Sequence, residues 1–371
     1  MNGDEPMKWE STYLDWIMAK ADQSFKAPIS HITDKIAPLS PGDSHDYYSN
    51  GDYWWPNPNT PTGLPYIRRD GQSNPEAFLE HRQILRQMRS HVANLAAGYL
   101  ITQDELYAHR ATLWLQEFFL DEKTKMRPHL IYAQAIPGVC DGRGIGIIDT
   151  LHLIDVPVAI QTLKTASCMP PELYMRLQQW FANYLSWMTT HPYGLEEREA
   201  KNNHGVCWHV QAGIFARFTN NEQIIKSLIQ RYKQVYLPEQ MDLDGSFPAE
   251  LQRTKPYGYS IFQLDNMINL CQILSTPEEN LWEFQLPDGR SIQRALEFLY
   301  PYMLDKTQWP YDPDVQSYDN WPVAVTGLLF AGIACKQPKY IQLWKELTKD
   351  PKDPEVRRNM AIRQPILWLR K

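Results

Sequence analysis

The chain has 371 residues, 43% hydrophobic and 22% charged, with a formal net charge of −6 from 37 basic against 43 acidic side chains. That is enough apolar material for a sizeable core in one large domain or two, and it excludes the basic stripe that a nucleic-acid surface requires. Aromatic residues stand out, with 13 Trp and 20 Tyr beside 28 Pro; such a composition packs cores and also makes stacking platforms for sugar rings.

Met1–Pro6 shows no basic region followed by an apolar run, so no leader is visible. No uninterrupted apolar stretch approaches the roughly 20 residues of a membrane span. The cysteines Cys140, Cys168, Cys207, Cys271 and Cys335 are widely spaced and odd in number, with no Cys-x-x-Cys pair. They indicate neither a zinc site nor a disulfide framework and read as small buried hydrophobes. No metal or cofactor is expected.

The first distinctive segment is a long loop, residues 41–74, rich in Pro, Gly and aromatics. It holds Tyr53-Trp54-Trp55-Pro56 and then Gly63-Leu64-Pro65-Tyr66-Ile67-Arg68-Arg69. Tyr53, Trp54, Trp55 and Tyr66 can stack on sugars, and Arg68 or Arg69 can fork onto a carboxylate. The same residues could instead plug the end of a helical core.

Helical signals dominate from there. Pro75 after Asn74 suits a first helical turn, and Phe78, His81, Leu85, Met88, Val92, Leu95 and Tyr99 recur at spacings of three and four. Thr102 with Glu105 reads as a capping box for the next helix. A second long loop, 121–147, carries Gln134 and Arg143, either of which could contact a sugar, with a buried Arg143–Asp149 pair as the structural alternative. Its glycines do not match a dinucleotide fingerprint.

A helix opens at Pro170-Pro171-Glu172 with Leu173, Leu177, Phe181, Tyr184 and Met188 on one face. Further helices are expected near 148–165, 203–218, 221–235, 258–275, 290–304, 321–335 and 338–348. Long structured loops among helices suggest lids or binding walls. No linker and no fixed-period repeat appears, so one all-α domain of paired helices spanning 1–371 is expected.

Two segments carry chemistry. Asn202-Asn203-His204 can cap the helix that follows, and His204, Trp208, Gln211 and Phe215 then share a face. His204 could equally be a satisfied cap residue. About fifty residues on comes Glu250-Leu251-Gln252-Arg253, then Tyr257-Gly258-Tyr259. Free tyrosine titrates near pH 10, and a neighbouring Arg would stabilise its anion. Asn and Arg can neutralise an acid while His or Tyr moves the proton beside it. That set suits β-elimination from a uronate.

These pieces together resemble the alginate lyase superfamily, of the poly(mannuronate) lyase type. The resemblance rests on Tyr53-Trp54-Trp55-Pro56 with its Gly-Leu-Pro-Tyr continuation, Tyr132-Ala133-Gln134-Ala135-Ile136-Pro137, Asn202-Asn203-His204, and Glu250-Leu251 with Arg253, across about residues 45–265. It implies an all-α, (α/α) toroid or incomplete barrel of antiparallel helix pairs, with a lid-like loop near 45–74.

The resemblance also implies Asn203, His204, Arg253 and Tyr259 as catalytic residues. Tyr53, Trp54, Trp55, Tyr66, Arg68, Arg69, Gln134, Arg143, Trp208, Glu250 and Tyr257 stand as candidate substrate contacts. Tyr257 also competes with Tyr259 for the proton-transfer role. The partner would be an acidic polysaccharide, with no nucleic acid, met in the periplasm or outside the cell. The competing readings are a glycoside hydrolase using Asp149 and Glu250 as its carboxylate pair, and a glycan-binding protein without activity.

Overall fold

The computed structural model describes residues 7–369; the reading of Met1–Pro6 lies outside them. The chain divides into two compact units. Among the described residues, the first draws on 7–50, 77–190 and 362–369, the second on 51–76 and 191–361.

The first unit holds α1 (Ser11–Lys26), α2 (Glu80–Thr102), α3 (Glu105–Phe119), α4 (Asp155–Leu163) and α5 (Pro171–Thr190). Helix α2 packs against α1, α3 and α4 and buries Leu85, Met88, Val92 and Leu95, as their spacing predicts. It begins at Glu80 rather than Pro75. The Asn74 carboxamide accepts the Glu76 N–H at 2.9 Å, so the Asn-Pro pair marks a turn instead.

The expected capping box is also displaced. Asp104 is the N-cap of α3, accepting from the Leu106 N–H at 2.9 Å, while the Thr102 hydroxyl accepts from the Asp104 N–H at 3.1 Å. Where one helix over 148–165 was expected, a tighter 3-10 stretch, Gly144–Ile154, runs into α4. Tyr48–Asn50 pairs in parallel with Tyr132–Ala135, so both long loops contribute short strands that their irregular hydropathy does not announce.

The second unit holds α6 (Pro192–Arg198), α7 (Asn203–Phe218), α8 (Glu222–Arg231), α9 (Leu237–Gln240), α10 (Pro248–Leu251), α11 (Pro256–Leu274), α12 (Ile292–Leu304), α13 (Thr326–Ala334), α14 (Pro338–Glu346) and α15 (Pro354–Arg358). Helices α7 and α11 pack on each other and are buried on nearly every face, with α13 against α11. The helix expected over 221–235 ends at Arg231 and loosens into a wider turn, Tyr232–Tyr236. The helix expected from 321 begins at Thr326; Trp321 and Val325 have extended backbones flanking Pro322. Within residues 51–76, Trp54–Trp55 pairs antiparallel with Ile67–Arg68.

Candidate active site

The starts of α7 and α11, both in the second unit, position the residues singled out from the sequence. At α7, Asn202 is the N-cap and its side chain accepts the His204 N–H at 3.0 Å. Asn203 therefore sits in the first turn, where backbone N–H groups have no helical partner. Glu250, one turn into α10, takes that position: its carboxylate accepts the Asn203 N–H at 2.9 Å and the Asn203 side-chain amide at 2.7 Å. Burial pushes the Glu250 carboxyl up, against the opposing pull of Asn203, Arg253 and His204. Asn203 thus holds that carboxylate through two hydrogen bonds. His204 sets its Nδ1 3.2 Å from Glu197, a residue of α6 that is only 1% exposed.

The start of α11 is anchored by Asp314, whose two carboxylate oxygens accept the Tyr257 and Gly258 N–H groups at 2.9 and 2.8 Å. A side chain at Gly258 would stand 2.8 Å from that carboxylate, so the close approach requires glycine. Tyr259 follows within the same turn. Its hydroxyl accepts from the Arg253 guanidinium at 3.1 Å and lies 2.7 Å from the Tyr53 hydroxyl. The guanidinium carbon also sits 4.0 Å from the Tyr259 ring centroid, a cation–π arrangement.

Burial, and then the neighbouring Tyr53, push the Tyr259 phenol well above its ordinary range; Arg253 and Arg358 pull the other way without overcoming them. Tyr259 therefore rests as a neutral phenol. A tyrosinate stabilised by Arg253, the reading that proximity in sequence suggests, is not the resting state.

The loop over 51–76 reaches this cluster at both ends. At one end is Tyr53. At the other, Asp70 accepts from Arg253 at 2.9 Å and from the Thr254 hydroxyl at 3.1 Å, and its carboxyl is held below the usual range by Arg253 and Arg68 against the cost of burial. Arg68 is exposed and bonded to Asp70 at 2.7 Å. Arg69, also exposed, lies over the Trp55 ring at 4.9 Å. Trp55 donates to the Gln72 carbonyl at 2.9 Å. Trp54 and Tyr66 are half-buried on the same loop.

Four candidates are corrected. Tyr257 is completely buried, donates its hydroxyl to the Tyr302 carbonyl at 2.8 Å, and packs against Trp309 and Tyr318. It is a core residue, because positions two apart on a helix point to different faces. Trp208 is 2% exposed and its neighbours Gln211 and Phe215 are fully buried, so that face of α7 lies in the core. Glu250 has its carboxylate committed to Asn203 and positions that residue rather than meeting a sugar. Gln134 is buried in the first unit, donating to Asp149 at 3.0 Å and accepting from Arg143 at 3.2 Å.

Arg143 also donates to the Gln134 carbonyl at 2.8 Å; it braces that strand and does not form the expected pair with Asp149. Asp149 instead accepts from the Tyr47 and Ser49 hydroxyls at 3.1 and 2.5 Å. With Asp149 and Glu250 both buried and occupied, neither has the solvent-facing role of a hydrolase carboxylate. Sequence reasoning also passed over Glu197, Asp52, Asp70, Lys255, Glu355 and Arg358, all of which contact the cluster or its immediate supports.

Comparison with known proteins gives the family. The family model described as alginate lyase matches residues 31–309. Among solved structures, an alginate lyase from Bacteroides ovatus is 35% identical, with a TM-score of 0.83 over 96% of this chain and 92% of that one. Alginate lyase A1-III from Sphingomonas species A1 is 15% identical, with a TM-score of 0.54 over 86% and 85%. A tyrosine-to-phenylalanine variant of A1-III complexed with a tetrasaccharide is 14% identical, with a TM-score of 0.53 over 85% and 84%.

No curated protein sequence matches the chain. The fold class is the all-α, (α/α) toroid type that these enzymes share, and the protein is a polysaccharide lyase. It belongs to the alginate lyase family, which removes the hydrolase and the non-catalytic binding protein from consideration.

Proposed function

We propose that the enzyme cleaves a 4-linked uronate polysaccharide, of the alginate or mannuronate kind, by β-elimination at the cluster of Asn203, His204, Arg253 and Tyr259. Arg253 and Asn203 bind and neutralise the uronate carboxylate, which acidifies the C5 proton. His204, with Nδ1 turned to Glu197, presents Nε2 to take that proton. Tyr259, a neutral phenol at rest, gives its proton to the departing O4 as the C4–O4 bond breaks. The product carries a C4=C5 double bond and no water is consumed.

The observation that carries this reading is the Arg253–Tyr259 hydrogen bond beside a His–Glu pair. It supplies a charge for the acid, a proton donor and a proton acceptor within one turn of two helix starts. The substrate class is supported by what the solved relatives are named for, and by the tetrasaccharide held by one of them.

The 53–71 loop acts as a lid. Asp70 occupies the guanidinium that a uronate carboxylate would take, so substrate displaces Asp70 and the far end of the loop lifts. Trp55, Tyr66, Arg68 and Arg69 then line the sugar chain. Polymers of this size are met outside the cytoplasm, so the enzyme works in the periplasm or after secretion.

The test is ultraviolet absorbance during incubation with mannuronate-rich and guluronate-rich alginate and with glucuronate-containing polymers. A rise from the conjugated double bond on mannuronate-rich alginate, absent in H204A and Y259F, is expected. New reducing ends without that absorbance would overturn the mechanism, and a rise on glucuronate polymers alone would overturn the substrate.

A further inference from the structure

Arg358 ends α15, far in sequence from every motif of the site, and is 14% exposed at its side chain. Its guanidinium spans two neighbours on the lid loop: Nη1 donates to the Asp52 carboxylate at 2.5 Å and Nη2 to the Tyr53 hydroxyl at 2.7 Å. Glu355, one turn earlier on the same helix, lies 3.1 Å from Nη2. Glu355 also accepts from Lys255 Nζ at 3.0 Å and from the Ser73 hydroxyl. Lys255 Nζ stands 5.2 Å from the ring centroids of both Tyr53 and Tyr259. Three carboxylates and three cations, counting Asp70 and Arg253, therefore enclose two phenols whose oxygens are 2.7 Å apart.

A phenol carries one O–H to donate and accepts through its oxygen. Tyr53 accepts from Arg358, which polarises its O–H toward the next acceptor. If that O–H is given to Tyr259, the Tyr259 oxygen holds two donors, Tyr53 and Arg253, and its own proton is free for the leaving oxygen. The opposite orientation would tie the Tyr259 proton to Tyr53 and remove it from the reaction.

We propose that Arg358 is a positioning residue of the elimination, acting through Tyr53 to direct the Tyr259 proton at the substrate. The inference rests on the lyase reading of this site. In the step itself the Tyr259 O–H bond breaks as the O4–H bond forms, and the C4–O4 electron pair stays on O4. The Tyr259 phenolate remains bonded to the Tyr53 O–H and the Arg253 N–H until solvent returns a proton, while His204 releases to solvent the proton it took from C5.

A double-mutant cycle tests this, with kcat and KM read from the absorbance of the unsaturated product for wild type, R358Q, Y53F and R358Q/Y53F. Each single variant is expected to lower kcat about 10- to 100-fold, the usual cost of losing an orienting partner, with KM changed less than about threefold. The double variant should be no slower than Y53F alone, because Arg358 has no effect once the Tyr53 hydroxyl is gone. Thermal melts run alongside; if R358Q does not fold, R358K, which keeps a cation between Asp52 and Glu355, takes its place in the cycle.

Losses that add in the double variant, or a rise in KM with kcat unchanged, would overturn the proposal and leave the lyase reading standing. A wild type that releases no unsaturated product from any uronate polymer would overturn both.

Discussion

The two ends of the site are built on opposite charge. At the start of α7, two side chains are held by carboxylates, Asn203 by Glu250 and His204 by Glu197. At the start of α11, the phenol of Tyr259 is backed by the Arg253 cation and by Tyr53, itself held by Arg358. The Glu197 carboxylate fixes which ring nitrogen of His204 faces it, Nδ1 at 3.2 Å. Burial keeps the phenol protonated at rest, while the cations around it stabilise the anion formed once the proton leaves. In the proposed mechanism His204 takes a proton and Tyr259 gives one, and the two are held by neighbours of different kinds.

The largest expected effect comes from deleting the donor. Tyr259→Phe should cost about 10³-fold or more in kcat, within the range of general acid catalysis; turnover within tenfold of wild type would break the comparison at its acidic end. His204→Ala should cost about 100-fold. Glu197→Gln should cost about tenfold, because an amide can turn its NH2 to the ring and no longer holds Nδ1 of His204 as a carboxylate does. Equal losses in the last two would mean that Glu197 does more than orient.

A carboxylate without a cation sharpens the contrast. Asp265 is fully buried, accepts the Gly327 N–H at 2.7 Å, and is pushed by burial to about 7. Between about pH 4 and pH 7 the folded chain holds a proton that the unfolded chain has released. Stability therefore falls as pH rises through that window, by an amount on the order of a few kcal/mol. Asp265→Asn keeps the acceptor for Gly327 and loses the ionisation. Its melting temperature should exceed that of wild type at pH 8 and vary less between pH 4 and 7; parallel melting curves for the two proteins would contradict this. The smallest effect is reserved for Tyr257→Phe, which loses one hydrogen bond worth about 1 kcal/mol of stability and leaves kcat unchanged.

The grouping of the candidate residues was legible because its signals are local. Asn202 as a cap, His204 in the first turn and the Arg253 to Tyr259 spacing all sit within a few residues of a helix start. Tyr257 could have been separated from Tyr259 by helical geometry alone. Trp208 could not have been placed, since α7 is buried on nearly all sides and periodicity has no polar face to mark. Arg358 was silent for a different reason: it meets Tyr53 across 305 positions of sequence, and no local pattern encodes such a meeting. Glu197 is close in sequence to His204 but sits on a separate short helix, α6, so helical spacing does not link the two. The helix starts predicted at Pro75 and Thr102 slipped because Asn74 and Thr102 spend their side chains on turns.

The discontinuity of the first unit reaches beyond its packing. Asp155 is fully buried and accepts from Arg89, from the Arg363 N–H and from the Trp368 indole at 3.2, 2.6 and 2.9 Å, and Gln364 donates to Asn94 at 2.8 Å. A ribosome making this chain has synthesised the whole second unit before residues 362–369 emerge. Until they do, the buried carboxylate of α4 lacks two of those three donors. The unit whose chain is begun first is therefore among the last to be finished, and a nascent chain arrested near residue 360 would carry every residue of the proposed cluster while its first unit stayed unsealed.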